Sequence, residues 1–341
     1  MKKLLCATAV AALSAAAAQA EDVKIGVILG FTGPLESITP QMAAGAELAM
    51  KEVSDSGKLL DGSTVTPVRA DSTCIDAAAA TAAAERLVTT DKVNAIMGAD
   101  CSGVTGAVLA NVAVPNGIVM ISPSATSPGL TAAEDNGLFF RTAPSDARQG
   151  EVIANVLKDR GINSVAITYT NNDYGKGLAD SIQAALDTGA FSTFMLPDGM
   201  YGTVLEDKFG TSLDGSFGTV PGNDSPGGAT FLEMTKAAGF DGTSSYTGES
   251  YDAAALIMLA MQAAKSSSSA DFKGKVMDVA NAPGEKIYPG ELAKGLELLA
   301  AGTDIDYVGA TAVELIGPGE SAGNYREYEF KDGKITTVGF R

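Results

Sequence analysis

The chain has 341 residues, a formal net charge of −17 and neither histidine nor tryptophan. The length suits two domains that each bury a core, and the acidic balance disfavours nucleic acid and anionic lipid as partners. Without histidine, Ser-His-Asp and Cys-His nucleophile systems and histidine-based metal sites are excluded. No glycine-rich phosphate-binding motif occurs, and no carboxylate pair stands out for acid–base work. We therefore expect a protein with no catalytic residue, no metal and no cofactor.

Residues 1–20 have the pattern of a secretory signal peptide. Lys2 and Lys3 precede an apolar, alanine-rich stretch, which ends in Ala18-Gln19-Ala20. A small residue, any residue and a small residue form the signal peptidase site, so we expect cleavage near Ala20. The stretch is too short and too rich in alanine for a comfortable membrane anchor. Because the segment carries two lysines and no acid, its removal would leave a net charge of −19.

The next part of the chain alternates short β-branched runs with helical patterns. After the first run, Met42, Ala46, Ala49, Met50 and Val53 fall on one face of a 3.6-residue period. Strands that alternate with helices pair in parallel through right-handed crossovers, so the pattern predicts a doubly wound sheet. The predicted strands are 23–29, 64–69, 95–97 and 118–121, and the later helices are 76–88, capped by Asp76, and 103–114.

The same alternation returns in the second half. Ser145 is predicted to cap a helix of about 15 residues that ends at Gly161. Asp332-Gly333 between two apolar runs is a strong hairpin signal. The predicted strands are 164–169, 192–196, 216–220, 325–330 and 335–338, and the predicted helices are 175–186 and 251–265. The fold class expected is α/β, with two doubly wound parallel-sheet lobes.

Two cysteines remain after the signal segment. Cys6 lies within that segment, whereas Cys74 and Cys101 lie in the first lobe. An even pair in an exported protein indicates one disulfide, and two free buried thiols are the alternative.

Candidate ligand-binding residues follow the predicted strands, because ligands of open α/β sheets lie beyond the carboxyl ends of the strands. Ser102 begins a helix where free N–H groups suit a carboxylate, although it could equally be an ordinary helix cap. The hydroxyl-rich loop 122–128 follows the next strand. In the second lobe, Tyr174 offers a flat face and a hydroxyl, and Asp198 offers a partner for an ammonium. This division suits a zwitterion held between two closing lobes.

Six motifs in these loops carry a family resemblance. They are VKIGVILGFTGP at 23–34, DSTC at 71–74, GADCSG at 98–103, ISPSATSP at 121–128, FRTAPSD at 140–146 and NNDYGKG at 171–177. As a set they resemble the branched-chain amino-acid-binding proteins, the type I periplasmic solute receptors of ABC importers. The resemblance extends over nearly the whole chain.

The resemblance implies a set of site residues. The expected ligand-binding residues are Ser102, Ser124, Ala125, Thr126, Tyr174 and Asp198, and the expected disulfide joins Cys74 and Cys101. Ser102 is expected to donate to the ligand carboxylate, Tyr174 to close on the ligand and Asp198 to accept from the ammonium. Ser124 and Thr126 match positions that bind the α-carboxylate and α-ammonium.

The resemblance also implies a domain arrangement. The first lobe is expected to comprise 21–143 plus 252–317, and the second 144–251 plus 318–341. The family has further strand–helix units before the loop that carries Asp198, whereas here only residues 187–190 separate a predicted helix from a predicted strand. Two such units would take roughly 50 to 60 residues. We therefore expect a shortened second lobe and weakened ligand affinity.

These features together predict a periplasmic receptor that delivers an amino acid or similar small zwitterion to the permease of an ABC importer. We expect a monomer that performs no turnover and binds no nucleic acid. Two alternatives remain at this point: a sensory module of the same fold, and a truncated relative with weak or no ligand binding. Glu36 and Asp100 near the expected side-chain pocket hint at a ligand with a polar side chain.

Overall fold

The structure, a computed structural model, describes residues 22–162 and 195–341. The predicted signal peptide, the elements predicted at 164–169 and 175–186, and the short connection at 187–190 lie outside these residues. Within the described ranges, no helix combines the length and the apolar character needed to cross a membrane.

The strands and helices alternate along the first half of the chain. The strands are β1 (Asp22–Leu29), β2 (Thr64–Asp71), β3 (Ala95–Gly98), β4 (Met120–Ser122), β5 (Phe139–Pro144), β6 (Met195–Leu196), β7 (Phe217–Pro221), β8 (Glu285–Ile287), β9 (Ile305–Tyr307), β10 (Leu315–Ile316), β11 (Glu320–Ser321), β12 (Tyr325–Lys331) and β13 (Lys334–Phe340). The helices are α1 (Thr39–Ser56), α2 (Ala77–Arg86), α3 (Ser102–Val108), α4 (Val114–Asn116), α5 (Asp146–Asp159), α6 (Thr203–Phe209), α7 (Pro226–Ala238), α8 (Thr247–Ala264), α9 (Ser269–Phe272), α10 (Val276–Ala280) and α11 (Leu292–Ala300). Single π-helical turns extend α2 and α3.

Among residues 22–162 and 195–341, the larger sheet has seven strands in the order β10-β11-β5-β4-β3-β1-β2. The pairs β1–β2, β1–β3, β3–β4 and β4–β5 are all parallel. One apolar cluster packs α1 and α8 against one face of this sheet, and a second packs α2 and α3 against the other. The first lobe is therefore doubly wound, as the alternation predicts.

The smaller sheet contains β13-β12-β7-β6. Strands β6 and β7 pair in parallel, whereas β12 runs antiparallel to both β7 and β13. The predicted hairpin is confirmed, with Lys331 opposite Lys334. Helix α5 covers one face through Val152, Ile153 and Val156, and Tyr201 and Leu205 cover the other. The lobe boundaries predicted from the sequence stay a prediction.

Local capping explains several element boundaries. Asp76 accepts hydrogen bonds from the backbone N–H groups of Ala78 and Ala79 at 2.9 and 3.0 Å, as predicted, and Ser145 caps α5 through Ala147. The helix predicted at 251–265 begins earlier, at Thr247. It is buried on all sides, so no amphipathic face marks its start.

Candidate functional site

The loops that follow β3 and β4 lie side by side, because these two strands pair in parallel. Ser102 is buried and accepts a hydrogen bond at 3.1 Å from the backbone N–H of Ser127. The helix-cap interpretation of Ser102 is wrong, because α3 includes Ser102 and Cys101 holds the cap position. The Ser102 hydroxyl instead ties the two loops together.

Internal hydrogen bonds hold the loop after β4. The Ser122 hydroxyl donates to the Ala99 carbonyl at 2.6 Å and accepts from the Ala125 N–H at 3.0 Å. The Ser124 hydroxyl donates to the Asp100 carbonyl at 3.0 Å. Since the proton of Ser124 is committed there, this hydroxyl can serve a ligand only as an acceptor.

Arg141 holds the loop after β4 in place through hydrogen bonds. Its side chain is buried, and its Nη1 donates to the carbonyls of Ala125 and Ser127 at 3.1 and 2.9 Å. Its Nη2 donates to Thr131 and to the Glu320 carboxylate at 2.8 and 2.9 Å. Sequence reasoning assigned no role to Arg141, because these partners are 10 to 179 residues away along the chain.

Thr126 faces the start of α5. The backbone N–H of Asp146 donates to the Thr126 carbonyl at 2.9 Å. Thr126 Oγ1 and both carboxylate oxygens of Asp146 are buried, and none makes a well-formed hydrogen bond to another described residue. Burial raises the pKa of Asp146 to about 8, the charge of Asp198 adds to this, and the Thr126 hydroxyl and Arg141 oppose it. Sequence reasoning missed Asp146, because an acid after a capping serine is ordinary in a first helical turn.

Asp198 follows β6 and is 1% exposed. Its carboxylate accepts from the Gly199 N–H at 2.8 Å and from the Tyr246 hydroxyl through a short hydrogen bond. Its charge acts on Asp146 and on Tyr325, so it lies at the same junction as Thr126. Asp146 thus links the two: its backbone N–H bonds Thr126, and its carboxyl lies within reach of the charge of Asp198. Tyr174 lies outside the described residues.

A further buried acid lies where the chain enters α8. The Thr142 hydroxyl donates to the Glu249 carbonyl at 2.8 Å, which joins β5 to the first turn of α8. Burial raises the pKa of the Glu249 side chain to about 8; Asp252 adds to this, and the residue's own backbone N–H and Arg326 oppose it.

Cys74 and Cys101 form a disulfide, with Cα atoms 5.2 Å apart. The bond joins the loops after β2 and β3 and confirms the predicted pairing. Asp100 lies beside it and is fully buried, where it accepts from the Gly30 N–H and the Ser72 hydroxyl at 2.8 and 2.6 Å. The suggestion that Asp100 lines a ligand side-chain pocket is therefore wrong, and Glu36 is exposed.

The arrangement provides hydroxyls and carboxylates for binding. Among the described residues, no cluster of histidine, cysteine or acidic side chains could hold a metal ion. The carboxyl groups of Asp146 and Asp198 can bind hydrogen-bond donors and cations on a ligand, and the hydroxyls of Ser102 and Thr126 can donate to acceptors on it.

Sequence comparison identifies relatives of the chain. The model of the family described as "Periplasmic binding protein" matches residues 22–193, half of the chain. The Leu/Ile/Val-binding protein homolog 3 of Brucella melitensis is 36% identical over 201 residues, which cover 56% of this chain and 51% of that protein. The chain thus spans about half the length of the curated relatives it matches.

Structural comparison extends over nearly the whole chain. The leucine binding protein LivK of Thermotoga maritima has a TM-score of 0.76 at 19% identity, covering 93% of this chain and 98% of that one. LivJ of Streptococcus pneumoniae, solved with isoleucine, has a TM-score of 0.75 at 20% identity, covering 94% and 99%. At these identities the likeness shows the fold, which is that of these two solute-binding proteins.

Proposed function

The chain belongs to the periplasmic binding protein family, and on that premise we propose that it is a periplasmic receptor for an amino-acid-like solute. The ligand binds at the junction of the two sheets, and the receptor then presents it to the membrane permease of an ABC importer. The observation that carries the proposal is that buried Asp146 bonds the Thr126 carbonyl through its backbone and lies within reach of the charge of buried Asp198.

The carboxylate end of the ligand binds to the first-lobe loops. Ser102 accepts its hydrogen bond from Ser127, and within the described part of the chain its own proton has no acceptor. The Thr126 hydroxyl is likewise unbonded there. Both hydroxyls therefore have a proton to donate to a carboxylate, whereas Ser124 does not.

The ammonium end of the ligand binds on the second-lobe side. Asp198 is buried, and Gly199 and Tyr246 orient its carboxylate. A buried carboxylate is stable when it is paired and hydrogen-bonded, so an ammonium is a suitable partner. Tyr174 stays a proposed ligand contact on the strength of the resemblance, as does Ala125 in the loop after β4.

The junction favours binding over catalysis. Histidine is absent from the whole sequence, so neither a Ser-His-Asp nor a Cys-His nucleophile system is available. We therefore expect that the ligand is released chemically unchanged, from a monomer that lies in the periplasm.

The proposal is tested by calorimetric titration of the purified protein with L-leucine, L-isoleucine and L-valine. Asp198→Asn should weaken binding at least about tenfold, because truncating a charge-assisted hydrogen bond costs about 1.5–3 kcal/mol. Asp304→Asn is the matched control, since Asp304 is exposed on the first lobe. Equal affinity in both variants would contradict the assignment of Asp198.

A reduced relative with weak or no binding is the alternative. It is favoured by the sequence, in which only residues 187–190 separate a predicted helix from a predicted strand, whereas the family has further strand–helix units there. A folded protein whose unfolding no amino acid alters would support this alternative.

A further inference from the structure

We propose that Asp146 is a second acid of the ammonium-binding subsite and that ligand binding expels a proton from it. The inference rests on the proposed function, which supplies the ammonium-bearing ligand. In this exchange the Asp146 carboxyl group loses its O–H proton to solvent and becomes a carboxylate. The ligand's ammonium keeps all of its protons and takes the vacated position as the counter-charge.

The geometry of Asp146 is that of an acceptor without a donor. The residue is 0% exposed, and neither carboxylate oxygen makes a well-formed hydrogen bond to another described residue. Its backbone N–H donates to the Thr126 carbonyl at 2.9 Å, which places it against the ligand loop of the other lobe. The Thr126 hydroxyl beside it is equally buried and unbonded in the described part. Two unsatisfied polar side chains in one buried place mark a site for a polar ligand.

Asp252 is a buried acid of the same protein whose carboxylate is fully hydrogen-bonded, and it provides a comparison for Asp146. It is also fully buried, but it accepts from the Tyr307 hydroxyl, the Ala310 N–H and both donor groups of Thr311 at 2.6 to 2.9 Å. Those bonds limit the rise of its pKa to about 6, whereas that of Asp146 reaches about 8. The fold thus supplies donors to one buried acid and leaves the other without them.

The charges that face Asp146 do not neutralise it. Asp198 after β6 acts on Asp146 in the direction that raises the pKa of Asp146, and Tyr325 on β12 is buried and uncharged. Arg141 on β5 attracts Asp146, but its two Nη atoms bind the loop carbonyls, Thr131 and Glu320. Within the described residues no ion pair closer than 4 Å reaches Asp146. A proton is therefore the counter-charge of the empty site, and an ammonium is the group that replaces it.

Two consequences distinguish this subsite from a single acid. Ligands that carry a carboxylate but no ammonium leave the proton in place and gain nothing from Asp146, so amino acids are selected over simple acids. Affinity also depends on pH, because the empty protein must give up a proton below about pH 8. We expect the affinity for an amino acid to rise with pH by up to about tenfold per unit between pH 6 and pH 8.

The test is calorimetric titration of the full-length protein with L-isoleucine at pH 7, in phosphate and in Tris buffer. These buffers differ in ionisation enthalpy, so the difference in binding heat counts the protons released. We expect close to one proton from the wild type and close to none from Asp146→Asn. The control Asp304→Asn should match the wild type.

Each other outcome has a defined meaning. Binding without proton release in the wild type, or with the same release from Asp146→Asn, overturns the inference and leaves the proposed function intact. An affinity for L-isoleucine that is flat from pH 6 to pH 8 overturns it as well. Failure of every amino acid in the titration overturns the proposed function, and this inference with it.

Discussion

At the scale of single residues, the junction depends on how each buried polar group is satisfied. Arg141 donates to four acceptors, Asp198 accepts from Gly199 and Tyr246, and neither carboxylate oxygen of Asp146 makes a well-formed hydrogen bond to a described residue. A buried polar group that lacks a partner costs about 1–3 kcal/mol. The residues whose hydrogen bonds are complete therefore hold the site in shape. The residues that lack well-formed hydrogen bonds are those to which a ligand can supply a partner.

Asp146 gives the protein a pH-dependent stability. Its pKa is about 8 in the folded protein and near 3.8 in the unfolded chain, so between these values the folded state holds a proton that the unfolded state has lost. The contribution to stability therefore falls as pH rises through this range, by up to about 1.4 kcal/mol per unit. Because asparagine does not titrate, Asp146→Asn should not lose stability in this way as the pH rises.

Urea unfolding at pH 5, 7 and 9 measures this effect. The free energy of unfolding of Asp146→Asn should increase relative to the wild type as the pH rises. Asp304→Asn should follow the wild-type profile. Parallel profiles for Asp146→Asn and the wild type would mean that Asp146 is ionised in the folded protein, contrary to the account.

Replacing Arg141 should lower both the stability of the protein and its affinity for the ligand. Arg141→Met keeps an unbranched apolar stem but removes the hydrogen bonds to the loop and leaves Glu320 without its ion-pair partner. Breaking a buried pair in this way costs about 3–5 kcal/mol. Arg148→Met is the matched control, because Arg148 forms an exposed pair with Glu151 that contributes at most about 1 kcal/mol.

Chemical denaturation and calorimetry together check the Arg141 prediction. Arg141→Met should lower both the free energy of unfolding and the affinity for an amino acid. An unchanged affinity in protein that is still folded would show that the loop after β4 keeps its shape without these hydrogen bonds.

At the scale of elements, the first lobe is organised by the contact between α1 and α8. Helix α8 is buried over almost its whole length, and α1 lies against it. The close approach occurs at Gly45, where an added Cβ would lie 2.4 Å from the carbonyl oxygen of Thr247. Because Thr247 begins the helix that carries Glu249, this contact also fixes the first turn of α8.

Gly45→Ala is expected to destabilise the protein by about 1–3 kcal/mol, because the new methyl group meets backbone and the helices must separate. Gly106→Ala is the control, since the nearest atom to its new Cβ would be a side-chain carbon of Leu130, 3.8 Å away. In a helix that substitution should be neutral or stabilising by up to about 1 kcal/mol. Thermal unfolding of the two variants decides the point, and a neutral Gly45→Ala would contradict the packing described.

Sequence patterns predicted the parallel core of the first lobe, since β-branched runs and caps such as Asp76 are local signals. They did not predict β5, where Phe139–Pro144 is buried on both faces and shows no alternation. The loop residues Ser102 and Thr126 were found through motifs. Asp146 lies at the end of the FRTAPSD motif but received no role, because its lack of well-formed hydrogen bonds depends on residues that are distant in the sequence.

At the scale of the whole molecule, the proposed ligand site belongs to neither sheet alone. Thr126 follows β4 of the larger sheet, and Asp198 follows β6 of the smaller one. The Thr142–Glu249 hydrogen bond joins β5 to α8, and Asn223, which follows β7, donates to the Ala310 carbonyl at 3.2 Å. A zwitterion bound at the proposed site would contact both sides and stabilise their association.

Thermal unfolding of the purified protein against the twenty common amino acids, with benzoate as an acid that lacks an ammonium, tests the central claim most directly. A ligand present at 100 times its dissociation constant adds about 2.7 kcal/mol to the free energy of unfolding. The account predicts a clear rise in the unfolding temperature with one class of amino acid and none with benzoate. A cooperative transition that no amino acid shifts, or one that benzoate shifts equally, would contradict it.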